Sequence, residues 1–250
     1  MSGHNRWSKI KRQKAAMGNT KGRAFSKIAK ELTIAARMGG GDPAGNFRLR
    51  AAIDAAKGVN MPGDTITRAI KKGTGELEGV SYEEIKYEGY GAGGIAVIVE
   101  VVTDNKNRAA MEVRSIFSRS GDGIGEPGSV SYLFQHKGVI EVKPGPTEDQ
   151  VTEAAIEAGA EDVINNGEDG FEVRTEFTDL AAVTEALAKA GLPLGESKAR
   201  YVPMSSIQVE GDAAQKVLKL LNNLEDSDDV QNVYSNADIS ADVFAQLEED

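Results

Sequence analysis

The sequence contains no cysteine and only two histidines, His4 and His136, among its 250 residues. Without thiols, it can have no disulfide framework, thiolate zinc site, cysteine nucleophile or redox dithiol. With so few imidazoles, catalytic triads and histidine metal sites are nearly excluded as well. These absences remove most classes of catalytic and metal chemistry.

Long hydrophobic runs are also missing. No apolar stretch approaches the roughly 20 residues that cross a bilayer, and the first 30 residues hold no apolar signal core. We therefore expect a cytoplasmic protein with no membrane partner. A chain of 250 residues with 40% hydrophobic content is near the length at which single cores stop growing, so we expect two or three small domains.

Positive charge is scarce in the chain as a whole, with a net charge of −10, but it is concentrated at one end. Residues 1–75 hold 16 Lys and Arg against 4 Asp and Glu, a net charge of +12, whereas the remainder carries −22. A solvated helical face is the ordinary explanation for such a segment. A basic module on an acidic protein is, however, typical of a chain in which one domain contacts a polyanion.

The amino-terminal run supplies the candidate binding residues, nine cations within twenty-five positions. Cations that contact phosphates release condensed counterions, so affinity should fall steeply with salt. Lysine outnumbers arginine, which favours contact with the backbone over base readout, and few aromatic residues are interleaved for stacking. The predicted nucleic-acid-binding residues are Arg6, Lys9, Lys11, Arg12, Lys14, Lys21, Arg23, Lys27 and Lys30.

Hydrophobic periodicity predicts three helices in this basic region. The first runs from a cap at Asn19 or Thr20 to Met38, the second from about Asn46 to Val59, and the third from Pro62 or Asp64 to Gly73. On the first helix the cations fall opposite the apolar residues, so one face packs and the other is cationic. The cations in the last turn of the third helix, Lys71 and Lys72, have an ordinary explanation in the helix dipole.

From Tyr82 the pattern changes from helical to alternating, which indicates a new domain with ββαβ order. Its predicted elements are a strand at 85–88, a strand at 95–102, a helix capped by Asp104 or Asn105, a glycine-rich loop at 121–128 and a strand at 130–134.

The stretch from 139 to 202 then predicts βαββαβ, the ferredoxin-like order. A last helix and strand, ending near Tyr234, would complete the earlier sheet, so the third domain is inserted in the second. The predicted fold class is α+β with a basic helical domain at 1–78, a central α/β domain at 79–135 plus 205–240, and an inserted domain at 136–204, the last two being ferredoxin-like.

No motif supports an enzyme or a cofactor. Gly89, Gly91 and Gly94 match the letters of the dinucleotide fingerprint, but they lead into a strand instead of a helix. The acidic run at 225–229 lacks the glycine and the final glutamate of a calcium loop, and we interpret it as a solvated helix end. We therefore expect no catalytic residue, metal or cofactor.

A series of short motifs occurs in a fixed order along the whole chain. The motifs are Gly3, His4, Trp7, Ile10, Lys11 and Lys14; Glu31 to Thr33; Gly39 to Pro43; Asn60 to Pro62 and Asp64; Arg68 to Gly73; Tyr87 to Gly94; Asp104, Asn105, Asn107 and Arg108; and Gly128 to Val130 with Phe134. Together they closely resemble the YebC/PmpR family. Two departures from the family are visible, Asn5 and Arg6 in place of Ser-Lys, and Asp122 in place of a second glycine, which affects only the loop conformation.

The resemblance implies three domains and a cytoplasmic, non-enzymatic regulator of gene expression. Members of the family are described as DNA-binding transcriptional regulators, while the mitochondrial relative is a translational activator and some bacterial members act on ribosomes. Two functions therefore stay open: a regulator that docks on duplex DNA, and a translation factor that binds ribosomal RNA. In either, the acidic domains are candidates for contact with a protein partner or for homodimer formation.

Overall fold

The computed structural model describes residues 21–239, and its elements are numbered within that range. The helices are α1 (Lys21–Gly39), α2 (Phe47–Gly58), α3 (Gly63–Thr74), α4 (Lys106–Ser120), α5 (Glu148–Glu157), α6 (Leu180–Lys189) and α7 (Gly211–Asp226). The strands are β1 (Glu83–Gly91), β2 (Ile95–Thr103), β3 (Gly121–Ile124), β4 (Phe134–Val142), β5 (Asp162–Asn165), β6 (Phe171–Glu176), β7 (Leu194–Pro203), β8 (Ile207–Val209), β9 (Val230–Ser235) and β10 (Ala237–Ile239).

The helical domain packs α1, α2 and α3 around one apolar core that includes Leu32, Leu49 and Ile66. Asn46 joins two of the helices. Its side chain accepts a hydrogen bond from the backbone N–H of Leu49 and donates two others to carbonyl oxygens near the end of α1. The ends of all three helices and the starts of α2 and α3 lie within one or two residues of their predicted bounds, because caps and periodicity are local signals. The predicted cap of α1 at Asn19 or Thr20 lies outside the described residues.

The connection from α2 to α3 is only four residues long, from Val59 to Pro62. Asn60 lies there with a φ of 58°, in the left-handed region that asparagine tolerates better than most residues.

The central domain is a four-stranded antiparallel sheet in the order β3-β1-β2-β9, with α4 and α7 packed together on one face. The last helix and strand do complete this sheet, as predicted. Its strand order differs from the ferredoxin-like order that we expected for it, because β1 and β2 form a hairpin and take both central positions.

Two local predictions in this domain are wrong. The glycine-rich segment contains β3, which pairs with β1 at a close approach where a Cβ on Gly89 would lie 2.7 Å from the Gly123 carbonyl oxygen. The predicted strand at 130–134 is instead a short 3-10 turn, and β4 begins only at Phe134. The Glu88 carboxylate accepts the backbone N–H groups of Val130 and Ser131, so neither is available to a neighbouring strand.

The inserted domain has the predicted ferredoxin-like order, with antiparallel strands arranged β5-β6-β4-β7 and a core formed with α5 and α6. The α+β fold class with one domain inserted in another is therefore confirmed, while the residue-level domain boundaries stay a prediction. Between residues 21 and 239 no helix is long and apolar enough to cross a bilayer.

The three domains contact one another. The inserted and central domains meet at an aromatic edge contact, with the rings of Tyr201 and Tyr234 5.4 Å apart. Phe47 of α2 packs against the core of the inserted domain, and Arg50 pairs with Glu185 on α6. A separate two-stranded parallel sheet joins β8 to β10.

Candidate nucleic-acid interface

Five of the nine predicted binding residues, Arg6, Lys9, Lys11, Arg12 and Lys14, lie outside the described residues. Lys21 is the first residue of α1. The remaining three, Arg23, Lys27 and Lys30, lie on the predicted cationic face of α1. That face is turned toward the acidic end of α7 in the central domain.

Lys30 is held by three oxygen atoms of the central domain. Its Nζ donates to the carbonyl oxygens of Val102 at 3.1 Å and Asp228 at 2.8 Å, and to Asp229 Oδ1 at 3.0 Å. An ammonium group has three donors, so this set satisfies it completely. The two side chains of the ion pair are only 13% and 4% exposed, which makes it a largely buried contact between domains.

The two other cations of this face contact the same segment. Lys27 Nζ donates to the Glu225 carbonyl oxygen at 2.6 Å. Arg23 forms a more exposed ion pair with Asp226 at 2.9 Å. The contact of these three cations with nucleic acid stays a prediction. In the structure they bind oxygen atoms of the same chain.

Asp229 is the centre of this contact between domains. Besides Lys30, it accepts two hydrogen bonds from the Arg108 guanidinium, each 2.9 Å long. Burial alone would raise the pKa of Asp229, but Lys30 and Arg108 lower it below its ordinary value. The prediction of a solvated helix end holds for Asp226, which ends α7 and is exposed, but it is wrong for Asp229, whose carboxylate is buried between two cations from different domains.

A second ion-pair network holds the helical domain to β1. The guanidinium group of Arg48 donates a hydrogen bond of 2.6 Å to Glu31 Oε1 on α1 and another of 2.6 Å to Glu84 Oε1 on β1. Burial opposes the charge of Arg48, but its hydrogen bonds to the two carboxylates raise its pKa above the ordinary value. The structure thus fixes the helical domain against the central domain at two places.

The cations of α3, unlike those of α1, have no partner among the described residues. Arg68, Lys71 and Lys72 are exposed, and none of their side chains forms a hydrogen bond or ion pair with another described residue. The helix dipole explains Lys71 and Lys72 at the level of the sequence, and Arg68 is not among the predicted nucleic-acid-binding residues. The spacing i, i+3, i+4 was the available signal, since it places all three side chains on one face of a helix.

An exposed aromatic stack lies on the inserted domain. The ring of His136 stacks between Phe177, at 4.7 Å between centroids, and Tyr201, at 4.9 Å. Phe177 ends the stack and is 49% exposed, while Lys86 lies over Tyr201 at 5.3 Å. Sequence reasoning missed this group because its rings come from three separate segments.

Comparisons with known proteins agree with this architecture. Models of the TACO1/YebC protein N-terminal domain and of the TACO1/YebC second and third domain match residues 5–76 and 82–237. The chain belongs to the TACO1/YebC family. The resemblance inferred from the motifs is thereby confirmed, and the two matched segments together span the helical, central and inserted domains.

Similar proteins extend over nearly the whole chain. A probable transcriptional regulatory protein from Myxococcus xanthus is 58% identical over 96% of each chain, and one from Trichlorobacter lovleyi is 54% identical over 99% of this chain and all of its own. A crystal structure of a conserved hypothetical protein from Aquifex aeolicus is 47% identical, with a TM-score of 0.82 over 89% of this chain and 92% of that one. These names support a role in regulating gene expression.

Proposed function

We propose that this protein is a non-enzymatic regulator of transcription that docks its basic helical domain on duplex DNA. The observation that carries the proposal is the segregation of charge, with +12 in residues 1–75 and −22 in the rest of the chain. The names of the similar proteins, probable transcriptional regulatory proteins, support the regulatory part of this proposal. The acidic domains would repel nonspecific contact with DNA and provide surfaces for a protein partner or a second copy.

The chemistry of the basic domain favours contacts with phosphates. Six of the nine cations from Arg6 to Lys30 are lysines, whose ammonium group acts as a point charge. Of the three arginines, Arg23 lies on α1, where Lys30 is already bound within the chain. Lysine neutralises a phosphate without the paired donors that read guanine. The proposed binding mode is therefore electrostatic, with affinity that depends on salt more than on sequence.

The amino-terminal run gives the direct test. Replacing Lys9, Lys11, Arg12 and Lys14 with Ala in the full chain should weaken binding to all DNA sequences alike. It should also lower the slope of log affinity against log salt by about 0.9 per lost phosphate contact. Fluorescence anisotropy with labelled duplexes measures both quantities, and circular dichroism shows whether the variant folds. Unchanged affinity and slope in a folded variant would remove these residues from the interface.

A second candidate function, a translation factor that binds ribosomal RNA, is favoured by the exposed stack of Phe177 and His136. Proteins recognise unpaired RNA bases by stacking them on exposed aromatic rings. The two candidates differ in their targets. A protected segment with defined boundaries on a promoter supports the first, while co-sedimentation with large ribosomal subunits through a moderate salt wash supports the second.

A further inference from the structure

We propose that α3 is the helix that docks on the phosphate backbone of duplex DNA, through the side chains of Arg68, Lys71 and Lys72. This inference rests on the proposed function and adds the surface that carries it out in the described part of the chain. It also separates the cations of the helical domain into two groups, those that hold the domains together and those that face the nucleic acid.

The cations of α1 are already engaged within the chain. Lys30 is bound by three oxygen atoms of the central domain, and Lys27 and Arg23 contact the same segment. A phosphate could take Lys30 only if the buried carboxylate of Asp229 lost one of its two cationic partners, which is a costly exchange. The face of α1 that the sequence marks as cationic therefore belongs to the contact between domains.

The three cations of α3 lie close together on one face of the helix. At 100° and 1.5 Å per residue, Arg68, Lys71 and Lys72 lie within an arc of about 100° and a length of about 6 Å. That length matches about two phosphates of one DNA strand, which are spaced about 3.4 Å apart along the axis. No other helix of residues 21–239 carries three exposed cations within five positions that lack an ion-pair partner.

The surroundings of these cations also suit a phosphate backbone. Thr65 and Thr67, one turn earlier on α3, are exposed and carry hydroxyl donors. The acidic side chains nearest in sequence are Asp64, one turn before Arg68 on the same face of α3, and Glu76, which accepts a hydrogen bond from Thr74 Oγ1 at 2.9 Å. Neither forms an ion pair with the three cations within the described residues.

The test compares two triple variants of the full chain with the same loss of charge. One is Arg68→Ala, Lys71→Ala, Lys72→Ala, and the control is Lys189→Ala, Lys216→Ala, Lys219→Ala, which removes three exposed lysines of α6 and α7. The probe is a labelled mixed-sequence DNA duplex of about 30 base pairs, titrated at several salt concentrations. An RNA duplex of the same sequence is titrated alongside.

The α3 variant should bind the DNA duplex about tenfold more weakly or worse near 0.1 M salt. Its salt slope should fall by about 2 to 3, while the control keeps the affinity and slope of the unmodified protein. A second variant, Lys71→Gln with Lys72→Gln, keeps side-chain length and should show a slope lower by about 2. This double variant also tests the inference if the triple variant fails to fold.

Each other outcome overturns the inference in a different way. If the unmodified protein binds DNA and both α3 variants keep its affinity and slope, α3 is not the docking surface although the proposed function stands. If the α3 variants lose affinity only for the RNA duplex, the backbone bound is RNA. If the unmodified protein binds neither duplex even at low salt, the proposed function itself fails.

Discussion

Glu88 shows how one ionised side chain can organise a loop. Its side chain is 1% exposed, and its Oε2 accepts the backbone N–H groups of Val130 and Ser131 at 2.9 and 2.8 Å. Burial alone would raise the pKa of Glu88, but the backbone N–H groups of the 128–131 segment lower it to about 2. The stabilisation is therefore complete above the ordinary value of about 4.5 and is lost as the pH falls toward 2.

This predicts a pH-dependent effect of Glu88→Gln. At pH 7 the variant should lose about 1–3 kcal/mol of unfolding free energy, because an amide replaces a charged acceptor of two backbone donors. The difference from the unmodified protein should shrink between pH 4.5 and 2, because Glu88 takes up its proton in the unfolded chain at a higher pH than in the folded protein. Urea unfolding at several pH values measures it, with exposed Glu78→Gln as the control. A difference independent of pH would contradict this account.

At the scale of the helix, the crossing of α1 and α3 depends on the absence of one side chain. A Cβ on Gly73 would overlap the Thr33 carbonyl oxygen and lie 2.8 Å from the Ala36 Cβ. Gly73→Ala should therefore push the helices apart and cost about 1–3 kcal/mol of unfolding free energy. Thermal or chemical unfolding of the full chain gives the value.

Gly63 on the same helix provides the matched control. A Cβ at that position meets no atom within 4 Å. Gly63→Ala should be neutral or slightly stabilising, because it reduces only the freedom of the unfolded chain. If Gly73→Ala were as neutral or stabilising as Gly63→Ala, the close crossing of α1 and α3 would not require glycine at position 73.

At the scale of the whole molecule, the contact between domains depends on a buried ion pair. Lys30→Ala leaves Asp229 buried with only Arg108 as a cationic partner, and should cost about 3 kcal/mol of stability. Arg23→Ala removes an exposed pair, with side chains 51% and 67% exposed, and should cost less than about 1 kcal/mol.

Hydrogen exchange gives the second measurement of this prediction. Amides of α1 should exchange faster in Lys30→Ala because the helix loses its anchor on the central domain. The salt slope of DNA binding should stay unchanged in the same variant. A lower slope would show that Lys30 contacts DNA after all, and that the domains separate on binding.

The segregation of charge, the three helices of the basic domain, the ferredoxin-like order of the inserted domain and the return of the chain to the central sheet could all be predicted from the sequence. Each of these follows from local signals, namely composition, periodicity and caps. These signals sufficed to predict the fold class, while the nucleic-acid-binding role of the basic end stays a prediction.

Which cations are available to a ligand depends on long-range packing, which no local sequence pattern shows. Lys30 and Asp229 are 199 positions apart, so no local pattern distinguishes Lys30 from the unpaired Arg68. The same reason explains the strand wrongly expected at 130–134, whose backbone donors are taken by Glu88 more than forty positions earlier. A periodic pattern shows which face of a helix is cationic, but only long-range packing shows whether that face meets solvent or a carboxylate of the same chain.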